Sequence, residues 1–202
     1  LAQAQFEAGD AAAARVTLPA HVRLHRAPAD RLPLAVGEVD IVVSALVLNF
    51  VPDTAAALRE MVRVTAEGGR IAACVWECAQ REEGRAPYRE AAALLGLLAP
   101  GQAQGERFPI CRPEAMAEAF ADARLQQVEV SAIETDMHFA DFNDYWQPFL
   151  GGQGPAPAHA VALPDHERVR LREALRARVP TQADGSICLQ ARAWAARAVV
   201  RH

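Results

Sequence analysis

Residues 41–51 form the longest apolar run in the chain, interrupted only by Ser44 and Asn49. It is far shorter than the roughly 18 residues a membrane span requires. Within it, Val39–Leu48 reads as a strand with no polar face to offer water. Such a strand belongs in a parallel sheet covered by helices on both sides. The next residues support that placement. Pro52 and Asp53 precede an amphipathic stretch in which Leu58, Met61, Val62 and Thr65 share one helical stripe. Asp53 is a good N-cap residue, so a helix is expected over 54–65. Gly68 and Gly69 are expected to end it, because glycine accepts the left-handed cap conformation. Arg70–Trp76 is the next apolar strand. Strand, helix and strand within one short stretch spell a βαβ unit with a right-handed crossover.

The rest of the chain fits the same class. Leu1–Ala14 is rich in Ala, lacks Pro and reads as a helix. His21–Arg26 alternates through Val22 and Leu24 and reads as a short strand. Ala27–Gly37, with Pro28, Pro33 and Gly37, is a loop. Helices are expected over Tyr88–Leu98, from Pro113 to near Phe120, and over Asp165–Val179, the last with Val169, Leu171 and Leu175 as its apolar face. Leu125–Ile133 and Ile187–Ala195 alternate and read as strands. Residues 141–150 are aromatic-rich, Gly151–Pro157 is a Gly/Pro loop, and Asp184-Gly185 is a turn. A chain of 202 residues holds one sizeable core, so a single domain over 1–202 is expected.

Charge and cysteine usage narrow the function. The net charge is −4 and all 21 basic residues are Arg, which argues against a bulk electrostatic grip on nucleic acid. No apolar segment suits a membrane and no signal peptide is apparent. Cys74, Cys78, Cys111 and Cys188 have no framework spacing, so reduced thiols in a cytoplasm are expected, with Cys74 and Cys78 buried. His21 and His25 share a strand face but lack a third ligand, so no metal site is expected. His138, His159 and His166 read as surface histidines. The arginines from Arg168 to Arg178 read as the solvated face of a helix.

Three blocks carry a sharper signal. Val39-Asp40-Ile41-Val42-Val43-Ser44-Ala45-Leu46 opens with an acidic residue. Glu60-Met61-Val62-Arg63-Val64 precedes Gly68-Gly69. Upstream stands Ala27-Pro28-Ala29-Asp30-Arg31-Leu32-Pro33-Leu34. In this order and spacing they resemble the class I S-adenosylmethionine-dependent methyltransferases, in particular their type 11 branch. The first block resembles the family's fourth strand. The second resembles its Glu-x-x-Arg-Val-Leu-x-Pro-Gly-Gly segment, with Thr65 at the leucine and Glu67 at the proline. The third resembles its Gly-Asp-Ala-x-x-Leu-Pro-Phe segment. The resemblance covers about Leu1–Ile133 and places Ile187–Ala195 as the family's last strand.

The resemblance implies an α/β fold: a Rossmann-like, mostly parallel sheet with helices on both faces and an antiparallel last strand. It implies methyl transfer from S-adenosylmethionine to a small-molecule acceptor. Pro28, Ala29 and Asp30 would face the adenine, with Pro28 where the family commonly has Asp. Ser44, Ala45 and Leu46 would lie beside the cofactor at a strand's carboxyl end, where open α/β sheets bind ligands. Asn49 would hydrogen-bond the acceptor or cap a loop, and Phe50 would wall the pocket. Trp76 would cover the acceptor or pack the core. Tyr145 and Trp146 would form a lid or pack a helix onto the sheet, within a variable 134–184 segment that shapes the acceptor pocket. No general base is named by the sequence.

The family's Gly-rich loop, which approaches the cofactor's methionine end closely, and the acidic residue that binds its ribose have no counterpart in these 202 residues. The expectation is an amino-terminally truncated domain that binds S-adenosylmethionine weakly or not at all. Its 39–48 strand would keep an unpaired edge, which tends to recruit another strand. Either residues 21–26 move against it or the chain self-associates. Two other readings remain: a non-catalytic remnant or binding module, and a nucleotide-binding oxidoreductase-type α/β domain. The second lacks a Gly-x-Gly-x-x-Gly.

Overall fold

The computed structural model describes residues 21–77, 86–98, 108–151 and 155–201. The helix expected over Leu1–Ala14, and Cys78, lie outside them. Strand β1 (Val39–Ala45) runs into a 3-10 turn at Leu48–Phe50, then helix α1 (Thr54–Val64) and strand β2 (Thr65–Trp76). Helix α2 spans Ala86–Leu94. A second 3-10 turn at Pro109–Cys111 leads into α3 (Pro113–Asp122) and β3 (Gln126–Phe139). Helix α4 (Phe142–Trp146), a third 3-10 turn (Gln147–Leu150), α5 (Pro155–Ala162) and α6 (Asp165–Arg176) precede β4 (Ile187–Val199).

The four strands form one sheet in the order β1-β2-β4-β3. β1 and β2 are adjacent and parallel, joined by α1 as the βαβ reading requires. β4 inserts between β2 and β3 and runs antiparallel to both, with Trp194 opposite Val75 and Ala132. Three strands therefore point one way and the last points back. The alternation along β4 assigns two cores to two faces. Ala196 and Ala198 join Ile71, Ala73 and Val75 of β2, Leu58 and Met61 of α1, and Met116 and Phe120 of α3. Ile187 and Leu189, on the opposite face, join Tyr88 of α2, the α4 aromatics, and Leu171 and Leu175 of α6. Helices thus cover both faces, but at different ends of the sheet.

β2 ends at Trp76, opposite Ala193, whereas the β3–β4 ribbon continues through six more pairs to Phe139 and Ile187. At ~3.3 Å per residue that is ~20 Å beyond the carboxyl end of β2. The second core is built on this extension.

Several sequence expectations are corrected. Residues 21–26 are not a strand: a strand needs a ladder partner, and no described strand pairs with the outer edge of β1. β1 is not buried on both faces, since Ile41 and Val43 are 62% and 67% exposed. They lie on the face opposite the first core, which no described helix covers at this end. Gly68 and Gly69 do not end α1. The helix stops at Val64, with the Thr65 hydroxyl donating to the Met61 carbonyl (2.7 Å). The glycines lie inside β2, where the pairing with β1 slips between Val39 and Ile41. Gly68 takes φ +77°. A Cβ on Gly69 would sit 2.8 Å from the Asp40 and Ala66 carbonyl oxygens and 2.6 Å from Thr65 Cγ2. On α6, Val169 faces solvent while Leu171 and Leu175 are buried, because a residue two positions from Leu171 falls on the opposite side of a helix. Gly151–Pro157 is not wholly loop, since α5 starts at Pro155. Cys74 is only half-buried.

Candidate functional site

The site sits where β1 and β2 end. Backbone geometry changes abruptly there: Leu46 takes φ +57°, a left-handed conformation unusual for a side chain of its size. Its N–H donates to the Cys74 carbonyl (2.8 Å), so the turn is held against β2. The adjoining 3-10 turn carries Asn49 and Phe50. Ser44 and Leu46 are half-buried, Ala45 is exposed, and Asn49 is buried. Asn49 Oδ1 accepts no hydrogen bond among the described residues, so loop capping through this oxygen is not what the buried amide does. Phe50, 48% exposed, meets Phe108 edge to face at 5.4 Å. Trp76, half-buried, closes β2.

The loop Pro28–Leu34 is tied to the same unit by a clamp built on α1. The Leu32 N–H donates to Glu60 Oε1 (2.7 Å). Arg63 grips Glu60 through Nε to Oε2 and Nη2 to Oε1, both 2.7 Å, and Nη2 also donates to the Leu34 carbonyl (2.8 Å). The Arg63 guanidinium, aided by the Leu32 amide, holds the Glu60 carboxyl at about 2, against burial acting the other way. α1 starts at the carboxyl end of β1 and finishes at the amino end of β2. Leu34 is therefore held at the last turn of α1 and Leu32 about one turn earlier. From there the loop climbs beside α1 toward the site, through half-buried Ala29, with Pro28 and Asp30 exposed. Ala29 packs against the first core.

Tyr145 and Trp146 are placed differently from the other candidates. Both are buried in the second core. Tyr145 contacts Phe139, Phe142 and Phe149 with ring centroids at 5.2, 6.1 and 5.5 Å, and Trp146 lies 5.7 Å from Phe149. They hold the lobe together from inside. His159 is likewise part of this lobe and not a surface residue. Its Nε2 is 2.9 Å from the Leu97 carbonyl, which can only accept, so Nδ1 accepts from the Tyr88 hydroxyl at 2.8 Å. Burial pushes the Tyr88 and Tyr145 hydroxyls well above the usual tyrosine range, so neither supplies a base near neutral pH.

Sequence reasoning missed one charged group at the site. Glu77, immediately after β2, is buried. Its N–H donates to the Arg192 carbonyl (3.0 Å), and its Oε2 is 3.6 Å from Arg192 Nη1. Arg192 also bonds Glu134 on β3, through Nε at 2.8 Å and through Nη2. The usable signal was Glu77 closing an apolar strand on the ligand-binding edge. Among the described residues no group of three or more His, Cys, Asp and Glu can hold a metal ion, and no helix is long and apolar enough to cross a membrane.

Comparison with known proteins bears on this geometry directly. Residues 2–73, spanning the loop, the clamp, β1 and most of β2, match the sequence profile of the methyltransferase domain. A Bacillus halodurans C-125 protein, assigned as a methyltransferase, superposes with a TM-score of 0.52 at 10% identity, over 90% of this chain and 78% of that one. The chain has a class I methyltransferase fold. β4 runs antiparallel to its neighbours, as the resemblance implied for the last strand, and the Glu60–Arg63 pair precedes Gly68 and Gly69 in sequence. Phosphoethanolamine N-methyltransferase 2 of Haemonchus contortus, solved with S-adenosyl-L-methionine, gives a TM-score of 0.43 at 11% identity over 86% of this chain and 36% of that one. Uncharacterized proteins of Mycobacterium tuberculosis strains H37Rv and CDC 1551 are 42% identical over 57 residues, 28% of this chain. The match spans about a fifth of those relatives' length, 21%.

Proposed function

We propose that this chain forms part of an S-adenosylmethionine-dependent methyltransferase acting on a small molecule. The observation that carries the reading is the orphaned, buried Asn49 Oδ1 at the carboxyl end of β1, beside the left-handed turn at Leu46. A buried acceptor without a donor is costly unless a ligand supplies one, and this is the edge where such sheets bind ligands. When bound, S-adenosylmethionine supplies an electrophilic sulfonium methyl. The residues proposed to hold it are Ala29, by its backbone N–H, with Pro28 and Asp30 flanking the adenine, and Ser44, Ala45 and Leu46 beneath the reacting end. The chain's own work is placement and exclusion of water. The Glu60–Arg63 clamp fixes the loop, while Asn49, Phe50 and Trp76 border the acceptor. The lobe on the β3–β4 extension, whose core includes Tyr145 and Trp146, is proposed as the cover over that end.

These residues fit the adenine and reacting ends of the cofactor. The ribose and methionine ends find no Gly-rich loop in the 202 residues. We therefore propose weak binding by this chain alone, with the exposed Ile41–Val43 face and the β1 edge, which no described strand pairs, as its route to self-association. The test is ultraviolet cross-linking of tritium-labelled S-adenosylmethionine and peptide mapping of the product. Label in peptides covering residues 27–50 is expected. Label confined to 134–184 overturns the assignment.

A further inference from the structure

Two buried acceptor oxygens stand at one end of the sheet, and both lack a donor among the described residues. Asn49 is 8% exposed and Glu77 is 5% exposed. Neither Asn49 Oδ1 nor Glu77 Oε2 receives a hydrogen bond from them. The turn Leu48–Phe50 packs against β2 and against the turn Pro109–Cys111, which itself packs against β2. Asn49 follows β1 and Glu77 follows β2, and these strands are adjacent and parallel, so both residues stand at the same end of the sheet. Buried polar groups in folded proteins are almost always paired, so two orphans of the same kind at a ligand-binding edge call for one partner that donates to both.

The local charge says what kind of donor. Arg192 is the cation beside Glu77, but its Nη1 stands 3.6 Å from Oε2, beyond hydrogen-bonding range. Its Nε and Nη2 are engaged with Glu134. The guanidinium is thus shared, with its closest bonds spent on the solvent-exposed Glu134, while the buried Glu77 Oε2 has an ion pair but no hydrogen bond from it. A carboxylate or phosphate ligand would meet two acceptors and the Glu77 negative charge. A neutral hydroxyl brings a single proton and no charge. An ammonium brings up to three protons and a positive charge. The Phe50–Phe108 pair beside the turn offers the aromatic surface that cations favour.

We propose that this end of the site binds the ammonium of a small amine, held between Glu77 Oε2 and Asn49 Oδ1. That the amine is the methyl acceptor rests on the methyl-transfer reading above. The test is titration of the chain with benzylamine, benzyl alcohol and benzoate, monitored by backbone-amide NMR. Benzylamine should shift residues 49, 50 and 77. It should bind at least tenfold more tightly than the alcohol or benzoate, and lose at least tenfold in Glu77→Gln and several-fold in Asn49→Leu. Glu77→Gln keeps the shape and removes a buried charge that no described group hydrogen-bonds at Oε2, so it should melt close to the parent. Equal benzylamine affinity in parent and Glu77→Gln, no binding of benzylamine, or benzoate binding as tightly, overturns the proposal. S-adenosylhomocysteine titrated in parallel separates the two readings. Its shifts confined to residues outside 27–50 overturn methyl transfer and leave the amine result standing, whereas its shifts at residues 44–46 without benzylamine binding overturn the amine site alone.

Discussion

Replacing Glu60 by Gln tests whether the clamp on the 28–34 loop stores stability in a charge. Glu60 receives the Leu32 amide and two Arg63 bonds, all at 2.7 Å, and its carboxyl lies at about 2 in place of 4.5. Taken at face value the shift favours the ionised, folded form by ~3 kcal/mol. The Arg63 side chain is 36% exposed, and solvent screening weakens such pairs, so about 1–2 kcal/mol is expected. The sign comes from linkage. A carboxyl whose value falls on folding contributes fully above its unfolded value near 4.5, and loses that contribution as pH drops toward about 2. Gln cannot ionise, so the stability gap between parent and Glu60→Gln should be about 1–2 kcal/mol at pH 7 and close between those two values. Urea denaturation of both proteins across this range reads it. A gap that is the same at pH 7 and near pH 3 refutes the charge argument. A gap near zero throughout shows that the clamp holds nothing.

Three further outcomes rest on the packing. Gly69→Ala should cost ~1–3 kcal/mol, as overpacking against fixed carbonyls does, because its Cβ would collide with Asp40 and Ala66. Gly68→Ala, with open space but φ +77°, should cost only ~1–2 kcal/mol; thermal melts of the pair should show which cause dominates. Val43→Lys should leave the melting temperature nearly unchanged, since Val43 is 67% exposed, and should shift light-scattering mass toward monomer; an unchanged mass counts against association through this face. Deleting residues 184–202 removes β4, which joins β2 to β3, so circular dichroism should show loss of cooperative unfolding; a truncated chain that melts like the parent contradicts the observed strand order.

Local, short-range signals were legible in the sequence. Asp53 was readable as the α1 N-cap, and its carboxylate accepts from the Ala56 N–H at 2.8 Å. The Leu58–Met61 part of the stripe was equally plain, because periodicity depends only on neighbours, whereas Thr65 opens β2 and the strand starts five residues before the expected Arg70. The pairing of Ile187–Ala195 with Leu125–Ile133 came from the resemblance and is observed. What failed depended on distant partners. Burial of Ile41 and Val43 requires elements over that face, and a strand at 21–26 requires a partner strand brought alongside it; neither requirement is visible in local pattern. At the site, Asn49 was singled out from its position after the strand, and its burial in the turn Leu48–Phe50 is what the structure adds. Glu77 was not singled out, because its meaning depends on Arg192 and Glu134, brought beside it only by strand pairing.

Backbone-amide NMR of the chain titrated with S-adenosylhomocysteine tests the central claim most directly. Weak, saturable shifts are expected at residues 29–30, 44–46 and 49–50, and none along the outer part of β3. Shifts confined to residues 126–139, with none at residues 44–46, contradict the claim.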